Sequence, residues 1–251
     1  QTLASIEQQR REPESVADSA LALHANAYAR GDVRHARSFD EWVDDVNAVQ
    51  IEQVRALHGR FYGASDAVVS AVGEVDEPAL RQALKTGLGG WKSAVAFRRI
   101  EVPAAPAKPQ RLVLNTPDKQ NATLLMRLTL PLNDSAGDYP ALTMANFLLG
   151  GGGNSRLWKR IRERDGLSYD VRSHVQWSNF EPNSLWQASA IFAPQNGAKV
   201  EAAFLEVFAQ GVAFSGGDRN LPHPAPAVAD RLAIGELPDV AVKAAAFALN
   251  R

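Results

Sequence analysis

The 251-residue chain carries 27 Lys+Arg against 28 Asp+Glu, a formal net charge of −1, with 45% hydrophobic and 22% charged residues. So even a balance gives no global pull toward nucleic acid or an anionic membrane. Zero cysteines exclude disulfides and thiolate metal sites while leaving the compartment open, and no apolar run approaches the ~20 residues that span a bilayer. The length suits one large domain or two of about 100–150 residues. A start at Gln1 without a signal-like segment reads as a processed or partial polypeptide.

In chain order, Gln1 to Arg30 has a helical pattern interrupted near Pro13, with Val16, Ala20, Leu21, Leu23 and Ala27 recurring at three- and four-residue spacing. Ser38 and Glu41 are spaced as a capping box that opens a short helix. A further helix places Ile51, Val54, Leu57, His58 and Phe61 on one side. The segment Ala67 to Gly73, AVVSAVG, reads as a strand. After it Asp76 and Pro78 open the helix EPALRQALKTGL, with Leu80, Ala83, Leu84 and Leu88 toward a core.

Residues 101–109, EVPAAPAKP, hold three prolines and form a linker between residues 1–100 and a second α+β domain over 110–214. That domain starts with strands at Arg111 to Asn115 and Thr123 to Leu132. Asp138 and Pro140 then introduce a helix with Tyr139, Leu142, Ala145, Phe147 and Leu149, which runs into the glycines. A strand from Ser184 to Ala193 and a helix capped by Asn196 complete it. Residues 215–251 differ in character: proline-rich, weakly periodic and atypical as a domain end, with VAVKAAAFALN readable as a short Ala-rich helix. Strand, turn, amphipathic helix and glycine follow one another in both halves, which fits a duplicated α+β unit.

The histidines, His24, His35, His58, His174 and His223, include no pair three to five residues apart. No helical pair of imidazole ligands therefore exists, and H-E-x-x-H, H-x-x-E-H, G-x-S-x-G and the phosphate-binding P-loop are absent. His24 and His58 on apolar helix faces read as structural residues.

The informative stretch runs from Phe147 to Val175. Gly150 to Gly153 end a helix and turn the chain, and Ser155 is placed to cap the next helix. Four glycines exceed what one cap needs. A flexible loop accounts for them on physics alone, and so does a bare edge that lets an extended peptide approach. In SRLWKRIRERDG, Leu157, Trp158 and Ile161 face a core, and the surrounding Arg156, Lys159, Arg160, Arg162 and Arg164 read as a solvated basic face. From Leu167 to Val175 the chain alternates as a strand, in which Tyr169 reads as a core or rim aromatic.

GGGGNSRLWKRIRERDGLSYDV resembles the S-R-L…[IL]-R-E-x-x-G-L-x-Y segment of pitrilysin-type, insulinase-like zinc peptidases. HGRFYGASDAVVSAVGEVDEPAL, ending in GGW, and AYARGDVRHARSFDEW are similar to further segments of that family, in the same order, over roughly residues 27–211. The resemblance implies an α+β fold of two similar sandwich units, antiparallel-rich sheets with helices on one face, residues 1–100 being the end of the first. It also implies a clamshell enzyme in which only one half holds H-x-x-E-H with zinc and a glutamate base. The other half supplies an Arg and a Tyr seven residues apart, here Arg162 and Tyr169, with Gly151, Gly152 and Gly153 beside the substrate.

The missing zinc motif and the GDVRHARSF wording are similar to that non-catalytic half. The expectation is a chain inactive alone that binds no cofactor of its own. It would meet a peptide and a zinc-bearing catalytic half, fused upstream or as a separate subunit, and no nucleic acid or membrane span. A periplasmic location is expected over a cytoplasmic one if the source is bacterial. The alternative is a peptide-binding or structural scaffold with no catalytic partner. The resemblance stops at the tail: family members usually continue with a long charged helix.

Overall fold

The computed structural model describes residues 1–105, 107–116, 119–217 and 245–249. They divide into two compact units, one of Gln1–Trp42 with Val102–Arg251 and one of Val43–Glu101. Residues 1–42 thus pack with the second half of the chain and not with the remainder of 1–100.

The larger unit is an α+β sandwich. Its strands are β1 (Arg111–Asn115), β2 (Ala122–Leu130), β3 (Ser168–Gln176), β4 (Ser184–Phe192) and β5 (Ala245–Leu249), in the order β1-β5-β2-β4-β3. Only β1 and β5 pair in parallel; the other neighbours are antiparallel. Alternation decides which residues see which face. Leu124 and Met126 of β2 join Val171 of β3 and Ala188, Ala190 and Phe192 of β4 on one side. There they meet Leu157 and Ile161, together with Val200, Ala203, Phe204 and Val207 of the helix Gly197–Gly217.

Helix α1 (Thr2–Gln9) precedes α2 (Pro13–His24), whose Pro13 sits in the first turn, where a missing N–H costs nothing. Ala17 and Leu21 of α2, both 0% exposed, pack on Leu125 at the opposite face of the sheet. Helices therefore cover both faces, where one was expected. Full burial of a side chain such as Leu21 contributes about 1.5–3 kcal/mol. His24 at the end of α2 stays structural: its Nε2 lies 2.7 Å from Lys108 O.

After α2 the chain is tied by a polar knot. Glu41 accepts from the Ser38 backbone N–H at 2.9 Å while the Ser38 hydroxyl accepts from the Glu41 N–H at 3.2 Å, which is the capping box opening α3 (Phe39–Ala48). His35 joins through Tyr28 O at 2.8 Å and Glu41 Oε2 at 3.2 Å, and Arg30 reaches Glu41 at 3.0 Å. The Ser38 N–H first, then His35 and Arg30, hold the Glu41 carboxyl down at about 2. The Tyr28 carbonyl first, then Glu41, raise His35 above its ordinary 6.5.

The signs oppose. The stabilisation from Glu41 is present above its unfolded value and fades as pH falls toward 2; that from His35 is full below 6.5 and is lost as pH rises through its raised folded value. The knot is expected to be tightest between about pH 4.5 and 6.5. Urea titrations of the parent and His35→Gln should differ most in that window and converge above neutrality. A constant difference across pH would refute the coupling.

In the smaller unit, α4 (Ile51–Phe61) and α5 (Glu77–Leu88) form as the periodicity predicts, and the Asp76 carboxylate caps α5 by accepting from Ala79 N at 3.0 Å. The strand expected at Ala67 to Gly73 does not form: Val68 is 95% and Val72 98% exposed. No residue of 43–101 is buried and no strand lies there to pair with it, so its alternation has no ladder to join. Ile51, Val54, Leu57 and Phe61 likewise stay exposed, and His58 stacks on Tyr62 at 5.0 Å between ring centroids.

The tail departs from expectation too. Residues 245–249 form not a helix but β5, inserted between β1 and β2, where backbone pairing on both sides outweighs alanine's helix preference. The helix Gly197–Gly217 runs past residue 215. The remainder of the atypical segment, 218–244 and 250–251, lies outside the described residues.

Candidate functional site

Helix α6 (Tyr139–Gly150) delivers the glycines. It meets the sheet through Leu142, Asn146 and Gly150, one face at four-residue spacing, while Met144, Phe147 and Leu148 point to solvent at 56–62% exposure. The helix bears no charge to mark its outer side, and the small Gly150 lets the backbone settle onto Ser173 of β3. Asn146 secures the contact: it donates to Ser173 O at 3.3 Å and accepts from the Ser173 hydroxyl at 2.8 Å and the Trp186 indole at 3.0 Å.

The glycines then separate by role. A Cβ on Gly150 would lie 2.5 Å from Ser173 N and one on Gly151 2.7 Å from Phe147 Cα, so these two are bare because the packing requires it. Among the described residues, a Cβ at Gly152 would meet nothing within 4 Å, and one at Gly153 only the Trp158 indole nitrogen at 3.9 Å. These two leave open space.

Ser155 caps the following helix as its position predicts, its Oγ accepting from Trp158 N at 3.3 Å. Trp158–Arg164 is a π-helix, a wide turn found mostly in single stretches and frequently at functional sites. It buries Leu157 and Ile161 completely and sets Trp158 and Arg162, likewise four apart, side by side above them. Gly166, at φ 61°, ends the helix, and its N–H donates to Arg162 O at 3.2 Å.

Arg162 and Tyr169 come together. The Arg162 guanidinium carbon lies 4.6 Å from the Trp158 ring and 5.0 Å from the Tyr169 ring, and Nη1 donates to the Tyr169 backbone oxygen. Two aromatic faces thus hold one cation, each contact of the order of 0.5–1 kcal/mol at an exposed site. Tyr169 is 78% exposed because a bulge breaks the β3–β4 register between Ser168 and Asp170. The extra residue leaves the alternation, which is how an aromatic expected at the core or rim is turned outward. Neither the Tyr169 hydroxyl nor the remaining Arg162 donors have a partner among the described residues.

The neighbouring cations differ. Arg160 is tied to Asp165 and, at 2.7 Å, to Glu206, so it braces the π-helix against the long helix that follows. Arg164 lies 3.7 Å from Asp165. A groove of about 1010 Å³ on the α2 face of the sheet is lined by Glu14, Asp18, Arg37, Arg172, His174 and Gln187 among others; Arg162 and Tyr169 do not line it. Among the described residues no three His, Cys, Asp or Glu side chains gather as a metal site. Trp158 packs against the core as its pattern predicts. Its contact with Arg162 was not drawn from the sequence, although their four-residue spacing was a readable sign of it.

The mixed sheet with helices on both faces defines an α+β class shared with solved proteins. A peptidase M16 inactive domain from Pseudomonas fluorescens superposes with a TM-score of 0.64 at 19% identity, over 95% of this chain and 58% of that one. A protease from Helicobacter pylori does so at 0.65 and 14% identity, over 99% and 71%.

The model of the peptidase M16 inactive domain family matches residues 48–213, and the chain belongs to that family. It is 29% identical to an uncharacterized zinc protease of Streptomyces coelicolor over 53% of this chain and 30% of that protein. It is 25% identical to a probable inactive metalloprotease of Bacillus subtilis, over 65% and 40%. The chain spans well under half the length of these curated relatives.

Proposed function

We propose that this chain is the substrate-binding, non-catalytic half of a zinc-dependent endopeptidase, and that it contributes Arg162 and Tyr169 to a site shared with a half bearing H-x-x-E-H. The observation that carries this reading is the outward-turned pair itself: a phenol and a guanidinium, stacked and with donors to spare, at the outer strand β3, with Trp158 between Arg162 and the glycine turn at Gly153. An extended peptide adds its main chain along such an edge. Gly151 turns the chain tightly, and Gly152 and Gly153 leave room for the approaching backbone. Residues 43–100 are then the end of the half's first α+β domain.

Arg162, a planar fork of N–H donors, holds a substrate carbonyl and keeps Tyr169 facing it. Tyr169 donates its phenolic O–H to the carbonyl oxygen as negative charge grows there during hydrolysis. Among the described residues no three His, Cys, Asp or Glu side chains gather as a metal site; in this reading the zinc sits in the other half, and none of these roles passes through it.

The test is reconstitution. This chain and a separately produced H-x-x-E-H half should each fail to cleave a quenched fluorescent peptide, and the mixture should cleave it. A second reading, a peptide-binding scaffold with no catalytic partner, draws on the relative named as an inactive metalloprotease. Peptide binding by this chain with no cleavage alongside any H-x-x-E-H half would favour it.

A further inference from the structure

Trp158 has a second surface that the assignments above leave unused. One ring face carries the Arg162 guanidinium at 4.6 Å. Its edge nitrogen, Nε1, stands at the glycine turn, 3.9 Å from a Cβ placed on Gly153. Its N–H, a donor with no acceptor capacity, has no hydrogen-bond partner among the described residues. Indole N–H groups usually find one when buried, and this one is not among the buried unpartnered atoms, so it is open to an incoming acceptor. Moreover, the ring is not free to swing toward another acceptor. Its backbone N–H is bound by the Ser155 cap, its body packs against the core around Leu157 and Ile161, and Arg162 lies over its face.

We propose that Trp158 is a substrate-positioning contact whose indole N–H donates to a main-chain carbonyl of an extended peptide passing over Gly152 and Gly153. The same ring fixes Arg162 for the next contact along that strand. The ligand class is an amide carbonyl, since a donor-only edge beside bare glycine backbone takes an acceptor without reading a side chain. This rests on the peptide-binding reading above and adds a residue to it.

Two measurements on the 251-residue chain test it, with a short fluorescein-labelled peptide of alanine, serine and leucine as the probe. The Trp158 indole N–H is one of five such signals in a ¹H–¹⁵N spectrum, identified by its disappearance in Trp158→Phe, and should move downfield as peptide is added. Trp158→Phe keeps an aromatic face for Arg162 and should weaken binding by about three- to tenfold, the worth of one neutral hydrogen bond. Trp158→Leu, which removes the Arg162 platform as well, should weaken it further. An indole signal that stays fixed while the parent chain binds, or Trp158→Phe binding as the parent does, overturns this inference and leaves the function reading standing. A parent chain that does not bind peptide at all overturns both.

Discussion

Tyr169→Phe is expected to lower the turnover of the reconstituted peptidase by about 10²–10³-fold, the usual loss when one oxyanion donor is removed. The substitution deletes one O–H and keeps the ring, so the Arg162 stack at 5.0 Å survives. At 78% exposure the side chain adds little to the core, and stability should stay within about 0.5 kcal/mol of the parent. The loss should fall on kcat with KM nearly unchanged, because the bond strengthens only as charge develops on the carbonyl oxygen. Arg162→Ala gives the opposite split: it removes a contact made to the bound substrate and releases the Tyr169 backbone oxygen, raising KM more than it lowers kcat. Arg162→Lys should rescue poorly, since an ammonium lacks the plane that lies between two rings. A Tyr169→Phe enzyme that turns over at the parental rate would remove Tyr169 from the chemistry while leaving Arg162 in the binding role.

The legible parts of this molecule were those whose determinants are local. β1 and β4 follow alternation bounded by turn residues, and the Ser38–Glu41 box and the Asp76 cap follow from spacing alone. The proximity of Arg162 and Tyr169 was also legible, through family resemblance.

What stayed hidden depends on partners distant in sequence. AVVSAVG alternates as a strand should, but alternation does not say whether a neighbouring strand exists, and in 43–101 none does. Residues 245–249 have helical composition and become a strand because a gap between β1 and β2 receives them. The inward face of the uncharged helix α6 was not legible either; the face chosen depends on Gly150 fitting Ser173. The outward turn of Tyr169 required a bulge, a register event visible only once β4 is alongside.

That fit of glycine to strand leads to the second large effect. Gly150→Ala is expected to cost about 1–3 kcal/mol, as overpacking a close-packed contact does. The new methyl would sit 2.5 Å from Ser173 N and 2.9 Å from Ser173 Cβ, and the first of these is backbone in a paired strand that cannot step aside. Relief therefore requires α6 to lift from β3. Lifting it stretches both hydrogen bonds between Asn146 and Ser173 and loosens the Trp186 indole bond to the same amide. Because α6 runs directly into the turn, a raised helix end also moves Gly152 and Gly153 relative to Trp158 and Tyr169, and peptide affinity should fall along with stability. Gly152→Ala is the control: its methyl meets nothing within 4 Å among the described residues, so the urea midpoint should hold while peptide binding weakens from the obstruction alone. The two variants thereby separate a glycine that shapes the fold from one that keeps a surface bare. Equal urea midpoints for Gly150→Ala and the parent, at unchanged m, would show that α6 does not depend on that close approach.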